Sequence, residues 1–161
     1  MPILKSILNY DYLWLNVRVQ GGAYGCMTKC TRDGMFDVVS YRDPNLVRTN
    51  EVFNGIAEYI RNFDVSERDM TKYVIGTIAD LDKPLSPDQR GLVGLSRYMK
   101  GITDEMLQRE RDQILNATPE DIRGLADLVQ AVLDQNCLCV IGNEDNIEAN
   151  ADMFDSVEQL L

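Results

Sequence analysis

The stretch VRVQGGAYG, residues 17–25, places an arginine, two glycines and a tyrosine inside an apolar run that is typical of a β-strand. Three structures could use such a segment: a loop that cradles phosphate, a tight hairpin, or a strand that holds a peptide backbone. The segment lacks the lysine and hydroxyl residue of a P-loop and the G-x-G-x-x-G spacing, and no helix is predicted directly after it. A phosphate loop is therefore rejected, and the rest of the chain must decide between the other two.

A β-hairpin is predicted around this stretch. Residues 17–31 have an extended pattern, Asp33-Gly34 is a strong hairpin signal, and the strand MFDVVSY follows it. The run CLCVIG, residues 137–142, is wholly apolar and rich in β-forming residues, which predicts a short buried strand. The expected sheet pairs residues 17–31 antiparallel with residues 34–41 and adds residues 137–142.

Helices are predicted for most of the remaining chain. Apolar residues at helical spacing predict a helix over residues 3–14. Further helices have recognisable starts at Asp43-Pro44, Ser66 with Asp69, Ser86-Pro87, Thr103 and Thr118-Pro119, and a closing helix is expected from Asp155. These elements predict an α+β fold in which helices cover an antiparallel or mixed sheet.

The predicted sheet is thin for so many helices, and the first helix would start almost at Met1. The 161 residues are enough for one domain with a sizeable core. We therefore expect residues 1–161 to form a single domain that is incomplete at its N-terminal side.

Composition limits the classes of partner. The chain has 26 acidic and 16 basic side chains, a formal charge of −10 and no histidine. This balance argues against nucleic-acid binding, which needs clustered positive charge, and it suits either cationic partners or solubility alone. No run reaches the ~20 apolar residues of a membrane span, and the start lacks the pattern of a signal peptide. Four scattered cysteines favour a reducing, intracellular compartment.

The residue types also limit the chemistry. Without histidine the chain cannot supply a Ser-His-Asp triad, a Cys-His pair or an H-x-x-E-H zinc helix. Cys26 and Cys30 share one face of a predicted strand, as do Cys137 and Cys139, so four thiolates could meet at a zinc ion. Their spacing is not that of a zinc ribbon or finger, and they are interpreted as small buried hydrophobic residues. No catalytic residue and no metal ligand is predicted on this chain.

Arg18 and Tyr24 are the strongest candidate pair. An even separation of six places both side chains on one face of an extended strand, and Gly21 and Gly22 between them permit a bulge or a close backbone approach. Together they offer donors for carbonyl oxygens or a developing oxyanion. The alternative is an edge arginine and a core tyrosine, and spacing alone favours that alternative.

Three motifs resemble one family. VRVQGGAYG, GMFDVVSYRDPNL with Thr49 after it, and the run DKPLSP…GLSRYMKGITDE…RERDQILNATPEDIRGLAD are similar, in order and over nearly the whole chain, to the last domain of presequence proteases. These enzymes belong to the pitrilysin/insulinase superfamily, the inverzincin zinc metallopeptidases. The resemblance implies a domain like those of the mitochondrial processing peptidase, the last of four similar α+β domains in a clamshell. The zinc-binding H-x-x-E-H would then lie outside this chain.

The resemblance also implies roles. Arg18 and Tyr24 would hold the substrate backbone and stabilise the tetrahedral intermediate. Gly21, Gly22 and Ala23 would keep the strand slim enough for substrate to pass. Arg42 could pair with a nearby acid and is assigned no catalytic role, and SYRDPN is interpreted as a strand end that leads into a capped helix.

The implied partners are the N-terminal catalytic half of the same polypeptide and unstructured, basic peptides. Zinc is implied in the full-length enzyme but not on this chain, which is expected to be inactive alone. The implied location is a bacterial cytoplasm or, alternatively, a mitochondrial or plastid matrix. A second hypothesis is a stand-alone or non-catalytic module of the superfamily that binds or scaffolds a partner. An upstream reading frame containing H-x-x-E-H would favour the protease.

Overall fold

The computed structural model describes residues 1–32 and 34–159. It is mostly helical with a small antiparallel sheet, which confirms the predicted α+β class. In chain order the elements are α1 (Pro2–Ile7), a π-helix that continues it (Leu8–Val19), β1 (Gly25–Cys30), β2 (Phe36–Tyr41), α2 (Leu46–Asn54), α3 (Ile56–Arg61), α4 (Glu67–Leu81), α5 (Pro87–Met99), α6 (Asp104–Leu115), α7 (Pro119–Arg123), α8 (Ala126–Leu133), α9 (Glu144–Glu148) and a 3₁₀ turn (Ala151–Met153).

The hairpin is confirmed, but its first strand is shorter than predicted. β1 and β2 pair antiparallel with Thr28 opposite Val38, whereas residues 17–19 end the π-helix. Leu13 and Val17 are both buried on the inner face of that helix, and this burial explains why the helical conformation continues past residue 14. The predicted strand over residues 17–24 is therefore wrong. Asp33 of the predicted turn lies outside the described residues.

The predicted third strand is also wrong. Residues 137–142 form no strand, and the sheet in the described part of the chain has two strands. Ile141 is 79% exposed, and Cys137 and Cys139 are exposed rather than buried. A strand conformation needs a neighbouring backbone to pair with, and none of the described residues pairs with this segment. The closing helix predicted from Asp155 is absent from residues 155–159, and the last two residues lie outside the described part.

The core lies between the first helix and the later helical layers. Leu4, Ile7 and Leu8 are fully buried, and they belong to one apolar cluster with Ile60 of α3 and Val129 of α8. α5 stands apart from this cluster and has no buried residue. No helix among the described residues is long and apolar enough to cross a membrane.

Capping residues start most helices as predicted. The hydroxyl oxygens of Ser66, Thr103 and Thr118 accept hydrogen bonds from the N–H groups of Asp69, Met106 and Asp121, and Ser86 forms a capping box with Gln89. Two predicted helices are interrupted, at Gly55 between α2 and α3 and at Gly124 between α7 and α8. α2 begins at Leu46 with Asn45 as its N-cap, two residues later than the predicted cap at Asp43.

Candidate functional site

The turn between the π-helix and β1 carries the residues of the candidate site. Gly22 donates its N–H to the Arg18 carbonyl at 2.9 Å, and Ala23 donates to the Val17 carbonyl at 3.2 Å. Gly22 has φ +79°, and a Cβ at Gly21 would lie 2.4 Å from the Val17 oxygen. Both glycines are therefore required to end the helix. The prediction that both glycines lie within a strand is therefore wrong.

Arg18 lies in the last helical turn and is half-buried. Its guanidinium carbon lies 4.1 Å from the centre of the Trp14 ring, one turn earlier on the same face. Its side chain makes no ion pair or hydrogen bond with any residue that the structure describes. Burial raises the pKa of the Cys26 thiol, and the charge of Arg18 opposes that rise. The guanidinium is thus held by an aromatic face while its donors stay available.

Tyr24 lies immediately before β1 and points to solvent. Its side chain is 65% exposed, which rules out the alternative of a core tyrosine. Its N–H donates to the Arg42 carbonyl at 3.2 Å, and its ring meets the Tyr41 ring edge-on at 6.0 Å. Within residues 1–32 and 34–159 its hydroxyl has no hydrogen-bond partner. The phenol is therefore positioned by its ring and is free to donate.

The two candidate residues are not on one strand, so the prediction that strand alternation places them on one face is wrong. Arg18 ends a helix, Tyr24 precedes a strand, and the four residues 20–23 connect them. The hydrogen bonds from Gly22 to the Arg18 carbonyl and from Ala23 to the Val17 carbonyl fold this connection back on the end of the helix. The turn therefore brings Arg18 to the end of β1 at which Tyr24 lies.

Trp14 lies beside Arg18 and Arg42 lies beside Tyr24, and neither contact was predicted from the sequence. The guanidinium carbon of Arg42 lies 5.8 Å from the Tyr24 ring centre and 5.5 Å from that of Tyr41. Arg42 has φ +48°, a left-handed conformation that is uncommon outside glycine. No sequence pattern predicts this conformation. The four-residue spacing of Trp14 and Arg18 would have predicted their contact, had the first helix been extended to residue 19.

Residues at the start of α2 form hydrogen bonds to the same turn. Arg48 donates to the Gln20 carbonyl at 2.9 Å, and the Asn45 side chain donates to the Gly21 carbonyl. Asp43 in turn accepts from the Asn45 N–H at 2.9 Å and from the Thr49 hydroxyl at 2.7 Å. SYRDPN therefore joins the end of β2 to a helix, as predicted, but the N-cap residue Asn45 makes no side-chain capping bond, because its amide donates to Gly21 in the turn that carries Arg18 and Tyr24.

The cysteines do not assemble a zinc site. Cys26 and Cys30 are half-buried on β1, whereas Cys137 and Cys139 are exposed on an unpaired segment. Across the described ranges no three Cys, Asp or Glu side chains are grouped so that they could hold a metal ion. The described residues therefore offer no ligand set for zinc, and the resemblance implies that ion only for the full-length enzyme.

Comparison with known proteins gives a consistent result. Residues 1–144 match the family model of the PreP C-terminal domain. The chain is 42% identical over its full length to Protein HypA of Clostridium perfringens, and 35% identical over 91% of its length to Presequence protease 1, chloroplastic/mitochondrial, of Arabidopsis thaliana. It is 34% identical over 89% of its length to the mitochondrial presequence protease of Aspergillus oryzae.

The chain spans only a small part of these relatives, 16% of HypA and 14% of each of the other two. By their names, one relative belongs to chloroplasts and mitochondria and one to mitochondria, while HypA is from a bacterium. The family model nevertheless covers most of the present chain. This chain belongs to the family of PreP C-terminal domains and is the C-terminal part of a protein of this peptidase family.

Proposed function

We propose that this chain is the substrate-gripping C-terminal part of a zinc metalloendopeptidase that degrades unstructured peptides. The zinc and its H-x-x-E-H ligands lie on the N-terminal catalytic half of the same polypeptide, which is the chain's partner. The observation that carries the proposal is the pair of unused donors at one turn: the guanidinium of Arg18 and the hydroxyl of Tyr24. Both are oriented by aromatic neighbours rather than by acids.

The arrangement suits a peptide backbone. A guanidinium and a phenol can donate hydrogen bonds to carbonyl oxygens and to the oxyanion that forms when water attacks one of them. Arg42 lies near the Tyr24 ring and Arg48 contacts Gln20 of the turn, whereas the carboxylate of Asp43 is bonded to Asn45 and Thr49, so the positive charges favour negative or partly negative oxygen at this site. Basic side chains of a bound peptide would be attracted by acidic residues elsewhere on the chain, whose formal net charge is −10.

The test uses the full-length polypeptide that carries this sequence, assayed with an unstructured peptide. Arg18→Ala and Tyr24→Phe should each lower kcat about a hundredfold or more, as removal of an oxyanion donor does. The matched controls are Arg109→Ala, an exposed arginine on α6, and Tyr41→Phe, the exposed tyrosine beside Tyr24. The controls should keep kcat within about twofold, since surface changes of this kind have small effects.

Zinc content and melting temperature are measured for every variant. If Tyr24→Phe keeps full turnover, or loses turnover only together with zinc or stability, the proposed grip is wrong. If the full-length protein binds peptides but hydrolyses none, the chain serves instead as a non-catalytic binding or scaffolding module.

A further inference from the structure

Arg42 lies directly opposite Tyr24, at the point where the hairpin ends. The β1–β2 register pairs Gly25 with Tyr41. One residue further along, the Tyr24 N–H donates to the Arg42 carbonyl at 3.2 Å and continues that ladder. The backbone of Arg42 has φ +48°, so the strand leaves its regular path at this residue. Arg42 is therefore fixed, through a backbone hydrogen bond, to the residue that carries the proposed phenol donor.

Two aromatic rings hold the side chain of Arg42. Its guanidinium carbon lies 5.5 Å from the ring centre of Tyr41 and 5.8 Å from that of Tyr24, within the range of cation–π contacts. Tyr41 is 59% exposed, and Gly25 opposite it carries no side chain that would cover its ring. In a regular strand, Tyr41 and Arg42 would point to opposite faces. The left-handed backbone of Arg42 accounts for the contact of its charge with both exposed rings.

The donors of this guanidinium have no acceptor among the described residues. The sequence allowed Arg42 to pair with a nearby acid, but no such ion pair forms within residues 1–32 and 34–159. Asp43, the adjacent acid, accepts the Asn45 N–H at 2.9 Å on one carboxylate oxygen and the Thr49 hydroxyl at 2.7 Å on the other. The guanidinium is thus exposed and oriented by rings, and its donors remain available to an acceptor on another molecule.

A carboxylate is the acceptor that fits this arrangement. A guanidinium presents parallel N–H groups whose spacing matches the two oxygens of a carboxylate, and the charge on both partners strengthens the bonds. A backbone carbonyl, by contrast, is a single neutral oxygen, for which Arg18 and Tyr24 already offer donors. Every peptide has a carboxylate at its C-terminus, and Asp and Glu side chains supply others.

We propose that Arg42 forms a subsite for a carboxylate of the bound peptide, beside the Tyr24 phenol. The carboxylate belongs to the C-terminus of the peptide or to an Asp or Glu side chain near the cleaved bond, and its chemistry is the same in both. The inference rests on the proposed function, because Arg42 selects among peptides that Arg18 and Tyr24 hold. It adds a preference for negative charge at one position, whereas the formal net charge of −10 attracts basic side chains to the chain as a whole.

The experiment measures kcat/KM in the full-length polypeptide that carries this sequence. The reference peptide is unstructured, free of Asp and Glu, and amidated at its C-terminus. One set of peptides restores the free C-terminal carboxylate at increasing distances from the cleaved bond. A second set keeps the terminal amide and places a single Glu, in place of Gln, at successive positions. The best peptide should be cleaved about tenfold more efficiently than its neutral counterpart, and the set that contains it identifies the source of the carboxylate.

Variants of Arg42 test the subsite through the ratio of kcat/KM for the best peptide to that for its neutral counterpart, because this ratio is insensitive to a general loss of activity. Arg42→Gln should abolish the preference. Arg42→Lys should retain part of it, since lysine keeps the charge but not the planar pair of donors. Arg42→Glu should reverse it in favour of a peptide with Lys at the same position. The matched control Arg109→Gln, an exposed arginine on α6, should keep the full ratio.

The outcomes separate this subsite from the grip of Arg18 and Tyr24. If Arg18→Ala and Tyr24→Phe lower turnover of the reference peptide but no carboxylate is preferred, the grip stands and the subsite is wrong. A preference that survives Arg42→Gln also overturns the subsite, and a lower melting temperature in that variant would then make Arg42 a structural residue. If the polypeptide binds peptides without cleaving them, the same ratios are taken from dissociation constants, so the proposed cleavage is wrong while the subsite stands or falls on its own ratio.

Discussion

The guanidinium of Arg18 lies over the face of Trp14, with 4.1 Å between its central carbon and the ring centre. The two residues are one turn apart in the π-helix, so the helix itself fixes their contact. Arg111, by contrast, is paired with Asp82, and its donors are occupied by that carboxylate. An arginine held by an aromatic ring keeps both its orientation and its donors.

Removing the Trp14 ring should therefore impair Arg18 without unfolding the protein. A cation–π contact at an exposed site stabilises by about 0.5–1 kcal/mol, so Trp14→Ala in the full-length polypeptide should lower kcat about two- to fivefold. Trp14→Phe keeps an aromatic face and should lose less. Tyr10→Ala, a 70% exposed residue of the same helix, is the control, and an equal loss there would refute the link.

Gly21 should tolerate no side chain. Gly21→Ala brings a methyl group within 2.4 Å of the Val17 carbonyl oxygen, which the end of the helix cannot avoid. The free energy of unfolding in urea should fall by about 1–3 kcal/mol, as for overpacked sites. Gly25→Ala is the matched control, because its methyl group would have no atom within 4 Å beyond its chain neighbours, and it should change stability far less. Equal effects of the two variants would contradict the close approach.

Asn9 should stabilise the hairpin by acting as a substitute for a neighbouring strand. Its side-chain oxygen accepts from the buried Thr28 N–H at 2.6 Å. Asn9→Ala leaves that N–H unpaired, so the free energy of unfolding should fall by about 1–3 kcal/mol. The control Asn54→Ala removes an exposed side chain and should cost less than about 0.5 kcal/mol. Similar losses for both variants would show that the Asn9 contact contributes little.

Tyr59 should make stability sensitive to alkaline pH. Burial, together with Asp11 and Tyr12, raises its pKa from 10.0 to about 12. The folded protein then holds the phenolic proton more tightly than the unfolded chain does, so stability is unaffected by this group below pH 10 and falls as the pH rises from 10 towards 12. The urea midpoint of Tyr59→Phe should fall less steeply over this range than that of the unmodified chain.

The control for this titration is Tyr98→Phe, whose ring is 86% exposed. It should follow the unmodified chain throughout the alkaline range. Parallel midpoints for Tyr59→Phe and the unmodified chain would show that the Tyr59 proton is not linked to folding.

Local signals in the sequence determined where helices begin and where the hairpin lies. Ser66, Thr103 and Thr118 cap their helices. Each hydroxyl accepts a hydrogen bond from an amide only three residues later in the chain, so capping depends on local sequence and not on distant residues. The pairing of β1 and β2 is likewise set by alternation and by the short loop between them. The candidate residues Arg18 and Tyr24 were also identified from the sequence, through the motif that contains them.

The tertiary structure alone decided the conformations of residues 17–24 and 137–142. Both segments are short and contain β-forming apolar residues that could also belong to a helix, so burial and available partners decide between the two. Val17 completes a helix because its side chain fits the core, and the glycines that follow then end that helix. Residues 137–142 stay unpaired because a strand depends on a neighbouring backbone, and the described chain supplies none.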